Sequence, residues 1–147
     1  MEYMLMPLKR YAEFSGRSRR QEFWMFALLN LIVYCVLLGI MFAFGAGASM
    51  EDAASGNYAA MFGGFGLLLA VWALAVLIPS IAVSVRRLHD RDMSGWWYLG
   101  FIVASMIPIV GIIASIAYLV VMALPGTPGP NRFGPDPKGA ADPEVFA

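Results

Sequence analysis

The residues able to do chemistry fall into three short stretches, and arginine dominates them. The first is Gly16-Arg17-Ser18-Arg19-Arg20, followed by Glu22. The second, Arg86-Arg87-Leu88-His89-Asp90-Arg91-Asp92, packs five charges and the chain's single histidine into seven residues. The third is Asn131-Arg132-Phe133-Gly134. A guanidinium presents a planar fork of donors that matches a carboxylate or a phosphate two bonds at a time. These residue types therefore predict anion recognition, whether of carboxylates within the chain or of phosphate outside it. On a helix carried past Val85, Arg86 and Asp90 stand four apart and His89 three from Arg86, so one face can offer all three.

Catalysis has thinner support. His89 beside Asp90 has the types of an oriented base, but no serine or cysteine nucleophile stands in a recognisable setting. One histidine and one cysteine, Cys35, cannot supply the ligands of a zinc site. Cys35 lies in an apolar run and reads as a small filler. No catalytic residue, metal or cofactor is expected, and the basic residues flank apolar runs, which is not the pattern of a nucleic-acid-binding surface.

The elements that must position these arginines are apolar. The 147 residues are 60% hydrophobic and 14% charged, against roughly 45–50% and 25% in soluble domains, so the excess is expected to face lipid. The first run, Trp24 to Phe44, would reach about 31 Å as a helix, enough for the hydrocarbon core. It is longer than the roughly 7–15 residues of a signal-peptide core, which predicts a retained span. Asn30 is its one strongly polar side chain and suits a bond to another helix. A second span is expected over about 61–85. Gly63, Gly64 and Gly66 there allow close backbone approach, Pro79 introduces a kink, and Ser80 is placed to satisfy the freed carbonyls.

The last run, Trp96 to Leu124, would measure about 43 Å as one helix and overshoot a bilayer of ~30 Å. Pro108 and Gly111 near its middle predict a hairpin of two short helices, 96–107 and 111–124, with one long kinked span as the alternative. The fold class expected is all-α: a small polytopic membrane helix bundle of two full spans plus a C-terminal hairpin, in one membrane domain over 1–137.

Residues 1–23 predict an interfacial segment, with Met4, Leu5, Leu8, Tyr11, Ala12 and Phe14 inward and basic residues toward headgroups. Ser15-Gly16 should break its helix and Ser18-Arg19-Arg20-Gln21 should restart one as a capping box. Residues 45–60 predict a flexible Gly/Ala/Ser loop. Ser94 is placed to cap a helix beginning at Gly95, and Trp96, Trp97 and Tyr98 form an interfacial anchor. The tail from Pro125 holds six of the nine prolines and is expected to remain unpacked, mostly disordered at its end.

Five basic residues lie in the N-terminal segment, three in the hinge at 86–92, two in the tail and none at 45–60. Positive charge stays on the cytoplasmic side, which puts the N-terminus and the hinge there. The hairpin returns the tail to the same side, so the three arginine stretches would share one face, with Glu22, Asp90 and Asp92 neutralising part of it.

The stretches also carry a resemblance. Phe14, Gly16, Arg17, Arg19, Arg20, Glu22, Phe23 and Trp24 precede the first span, and Arg86 to Asp90 with Ser94 to Trp97 follow the second. Gly129, Asn131 to Gly134, Asp136 and Pro137 follow the last. In order and spacing, over roughly residues 8–137, this resembles the YhaH-like bacterial inner-membrane proteins, domain-of-unknown-function family 805. The resemblance implies a small polytopic inner-membrane protein and no established activity.

The function expected is that of a non-enzymatic scaffold or accessory protein whose arginine-rich cytoplasmic face meets anionic lipid headgroups or a partner protein. The candidate cluster is Arg17, Arg19, Arg20, Glu22, Arg86, Arg87, His89, Asp90, Asn131 and Arg132. Its partners would be membrane lipids, with a second copy or another membrane protein as further candidates. Two alternatives remain open at this point: an oligomeric small-solute transporter or channel, and a cluster whose arginines and acids only staple the helices together.

Overall fold

The computed structural model describes residues 2–45, 55 and 58–139, with side chains at 2–43, 55 and 66–139. Among these residues all regular structure is helical, in the order α1 (Glu2–Lys9), α2 (Arg20–Gly45), α3 (Tyr58–Asp90), α4 (Trp96–Ser105) and α5 (Val110–Ala123). Most of the expected loop at 45–60, the close approach expected at Gly63 and Gly64, and the tail end at 140–147 lie outside the described residues or side chains. Two stretches, Arg20–Ala43 and Gly66–Asp90, are long and apolar enough to cross a membrane.

The helix starts depart from expectation in instructive ways. α1 ends at Lys9, well before Ser15-Gly16, and the chain reverses through Gly16 at a φ of +82°. Ser18 does not form the expected cap. Its buried hydroxyl has no hydrogen-bond partner, while its backbone N–H donates to the Arg86 carbonyl at 3.1 Å. That bond draws residue 18 toward α3, so α2 begins only at Arg20. Ser94 stands one residue further from its helix than expected, and its hydroxyl accepts only a long 3.4 Å bond from the Trp96 N–H.

The chain divides into two compact units, Ala27–Ile78 on one hand and Met1–Phe26 with Pro79–Ala147 on the other. In the first, Leu31, Val36, Leu67 and Leu74 are each more than half exposed. In the second, Trp96, Ile109, Ile112 and Ile113 are exposed, whereas Arg17, Glu22, Arg86, Arg87 and Asp90 are buried. A soluble domain distributes these types the other way round. Apolar side chains facing outward around buried ions are what lipid solvent requires.

The second unit has a small apolar core, formed by Phe23 and Phe26 of α2, Ala82, Val83 and Leu88 of α3, and Ala114 and Met122 of α5. Tyr118 of α5 ties three helices to its own. Its ring lies 5.6 Å from Phe101, 6.1 Å from Tyr98 and 6.3 Å from Phe23. Ser84 gives its hydroxyl proton to the Ser80 carbonyl at 2.7 Å, so the Tyr118 hydroxyl donates to Ser84 at 2.9 Å.

The last apolar run is the hairpin. At about 15 Å and 21 Å, α4 and α5 are each too short for a full crossing. Pro108 and Ile109 make the reversal, with the Val110 N–H donating to the Pro108 carbonyl at 2.8 Å. Ile109, at φ +69° and ψ −56°, is the centre of a strained γ-turn. The start of α5 can fold back this closely on the end of α4 because residue 111 has no side chain: a Cβ there would lie 2.5 Å from the Ser105 carbonyl oxygen. Gly100, by contrast, has nothing within 4 Å of its Cβ position. Gly111→Ala should therefore destabilise the protein by about 1–3 kcal/mol through overpacking. Gly100→Ala should be neutral or gain up to ~1 kcal/mol from helix propensity. Thermal unfolding in micelles checks the pair, and equal midpoints for the two variants would remove the close approach as the reason for the turn.

Candidate functional site

All ten candidate residues fall in the same compact unit, where the segment before α2, the end of α3 and the tail come together. Asp90, the last residue of α3, is the junction. Its Oδ1 accepts from Arg17 Nε at 3.0 Å and lies 2.9 Å from Arg17 Nη2, and its Oδ2 accepts from Arg87 Nη1. The three side chains are almost without solvent exposure, between 0 and 3%. Burying an ion costs several kcal/mol unless its lone pairs and protons are matched, and here the matching is extensive.

Each arginine spends its remaining donors on backbone. Arg17 donates through Nη1 to the Gly129 carbonyl and through Nη2 to the Thr127 carbonyl, both at 2.6 Å. Arg87 donates through Nε to the Met122 carbonyl at 3.1 Å and through Nη2 to the Leu124 carbonyl. Arg20 reaches the Ala123 carbonyl at 3.4 Å and Arg91 the Pro125 carbonyl at 2.5 Å. Four successive carbonyls, two in the last turn of α5 and two just beyond it, thus receive guanidinium donors. The negative end of the helix dipole favours those cations.

A second buried pair lies alongside: Arg86 Nη2 and Glu22 Oε1 are 3.0 Å apart, at 0% and 4% exposure. The sequence placed Arg86, His89 and Asp90 on one face, with Arg86 in register for Asp90. The helix instead turns Arg87 toward Asp90 at a spacing of three and leaves Arg86 to α2. His89 is not oriented by Asp90 either, since both carboxylate oxygens are engaged by arginines. Its Nδ1 donates to the Gly16 carbonyl at 3.2 Å, and its ring stacks on Phe133 at 3.9 Å and 4°.

The tail corrects a further expectation. Far from remaining unpacked, residues 125–137 lie along the end of α3. The N–H and hydroxyl of Thr127 both donate to the Asp90 carbonyl, at 2.8 and 3.2 Å. The Asn131 amide donates to the His89 carbonyl at 2.9 Å and to the Thr127 hydroxyl at 3.1 Å. Asn131 and Gly134 exchange two backbone bonds of 3.0 Å, closing a turn that presents Phe133 to His89. Gly126 has no residue-type freedom, because a Cβ there would overlap the Asp90 carboxylate. Gly126, Thr127 and the α5 carbonyls were not among the candidates. Only the run of turn formers at 125–130 hints at a backbone rich in free carbonyls.

The rim is more exposed. Arg132 pairs with Asp92 at 3.1 Å, with the two side chains 60% and 48% exposed, and lies 4.7 Å over the Phe133 ring. Arg19 donates through Nε to the Pro137 carbonyl at 2.5 Å. The Asp136 carboxyl is held below the usual carboxylate range, chiefly by the Lys138 backbone N–H and in the same direction by that of Gly129. Glu13 is likewise held low by its hydrogen bonds from Arg10. Both carboxylates are therefore ionised at neutral pH.

Asp90→Asn leaves two buried guanidiniums short of their counter-charge and should cost about 3–5 kcal/mol. Asp92→Asn breaks only an exposed pair and should cost no more than ~1 kcal/mol. Thermal unfolding of the two variants in the same micelles measures the difference. Comparable losses would mean that the buried cluster is not what holds this unit together.

Comparison with known proteins agrees with this architecture. The family described as "Protein of unknown function (DUF805)" matches residues 11–135, which include every candidate residue. The chain is 41% identical over 138 residues to "Inner membrane protein YhaH" of Escherichia coli (strain K12), covering 94% of this chain and 98% of that protein. It is 38% identical over 138 residues to "Inner membrane protein YhaI" of the same organism, covering 94% and 97%. To its "Uncharacterized protein YiiR" the identity is 30% over 141 residues, covering 84% of each. No solved structure matches. With outward apolar helices, a buried arginine cluster and this similarity along nearly its whole length, the chain is an integral membrane protein and belongs to the DUF805 family.

Proposed function

We propose that this chain is a non-enzymatic scaffold or accessory protein of the inner membrane, with its N-terminal segment, hinge and tail on the cytoplasmic side. Its partners in this reading are anionic lipid headgroups. One observation carries it: the arginines divide into two groups. Arg17, Arg86 and Arg87 are buried against carboxylates, so they staple the structure and lie out of reach of an outside ligand. Lys9, Arg19, Arg20, Arg91 and Lys138 have no carboxylate within 4 Å among the described residues. In this reading all five lie toward the cytoplasmic leaflet, as the charge distribution along the sequence supports, and its anionic lipids attract such residues by about 1 kcal/mol each near the surface. Exposed Leu5, Tyr11, Phe14 and Trp24 suit the same level of the bilayer. Purified protein in nanodiscs should melt at a higher temperature with phosphatidylglycerol than with phosphatidylcholine, and salt well above 0.1 M should shrink the gap by screening. Identical melting in both lipids at low salt contradicts the proposal.

A further inference from the structure

Among the outward cations, three line a single cavity. Arg19, Arg20 and Lys138, with Gln21, surround a space of about 260 Å³. No carboxylate lines it. The walls come from chain segments more than a hundred residues apart, joined where Arg19 Nε donates to the Pro137 carbonyl across 118 positions. Lys138 is held beside them by a compact turn, in which its own N–H donates to Asp136 Oδ1 at 2.9 Å and the Gly139 N–H to the Asp136 carbonyl at 2.8 Å. The Asp136 carboxylate is turned to the backbone amides of Gly129 and Lys138.

Three like charges around one cavity repel each other, and nothing among its lining residues offsets them. Elsewhere in this unit buried positive charge is met by a carboxylate, as at Asp90 and Glu22. Donor capacity is also left over. The bonds of Arg19 engage Nε and, at 3.5 Å, Nη1 with the Tyr3 hydroxyl, so Nη2 is uncommitted. Among the described residues Arg20 has one long bond through Nη1, and the Lys138 ammonium has none. Two guanidinium forks, an ammonium and the neutral amide of Gln21 are a donor set for a group with several charged oxygens. Trp24 lies one helical turn from Arg20 on the same side of α2 and is 41% exposed, where the apolar span begins. That puts the cavity at the level of lipid phosphates.

We propose that this cavity is a discrete site for one phosphate group. It rests on the anionic-lipid reading above and narrows it from a charged face to four residues. Two sources can supply the group, a phospholipid headgroup or soluble phosphate.

The test is native mass spectrometry of the full chain in micelles, titrated with phosphatidylglycerol and, separately, with inorganic phosphate. Wild type, Arg20→Ala, Lys138→Ala and the double variant are compared, and Arg10→Ala serves as a cation outside the cavity, already paired with Glu13. Wild type should retain one phosphatidylglycerol saturably. Each cavity substitution should weaken binding about fivefold, whereas Arg10→Ala should leave it unchanged, and the melting temperatures without lipid should stay together. Saturable binding of inorganic phosphate with the same dependence on Arg20 and Lys138 supports the site and assigns it to a soluble ligand. Binding without saturation, or equally sensitive to Arg10, overturns the cavity while the charged face survives. If the nanodisc comparison also shows no preference for anionic lipid, both fall.

Discussion

Asp90 faces two guanidiniums in a place that water barely reaches, so one negative charge has been buried with two positive ones. The triad is left with an excess positive charge that must be met. The fold meets it with carbonyl dipoles: Met122 and Leu124 at the negative end of α5, and Thr127 and Gly129 in the tail. That requirement connects features with no obvious relation in the sequence. α5 must end beside Arg87, the tail must fold back along α3, and residue 126 must lack a side chain so that the carboxylate can approach. A triad so placed is held by breaking costs, since removing any one member strands the others in low dielectric.

The same economy explains which arginines can serve function. In a chain whose apolar side chains face outward, the interior of this unit is where charge is safest from lipid, and Arg17, Arg86 and Arg87 take those positions. Each is buried beside a carboxylate, which suits stapling and leaves outside ligands to the rim. Arg19 is intermediate. It anchors the tail at Pro137 and keeps one face of its guanidinium turned to the neighbouring cavity.

Much of the fold was legible in the sequence because membrane spans are written in length and composition. The 29-residue last run could not be a comfortable single span, and Pro108 with Gly111 marked where it divides. The convergence of the three arginine stretches followed from that division and from the charge split. Finer geometry was not legible. Whether Arg86 or Arg87 meets Asp90 depends on a helical phase that residue spacing alone leaves open. Ser18 carries the pattern of a cap, yet a long-range bond to the Arg86 carbonyl overrides the local preference. The tail was misread for a related reason. Proline and glycine promote no regular structure by themselves, and this segment is ordered by its carbonyls reaching distant arginines. No pattern local to 125–137 encodes that.

The buried triad folds the tail onto the end of α3. Native-state hydrogen exchange of the wild-type protein in nanodiscs tests it most directly. The Thr127 N–H donates to the Asp90 carbonyl, and those of Asn131 and Gly134 close the turn. All three should exchange slowly, protected to a similar degree as one another, while exposed amides of the rim exchange fast. Exchange of Thr127, Asn131 and Gly134 at the rate of an unstructured peptide, with α3 still protected, would contradict it.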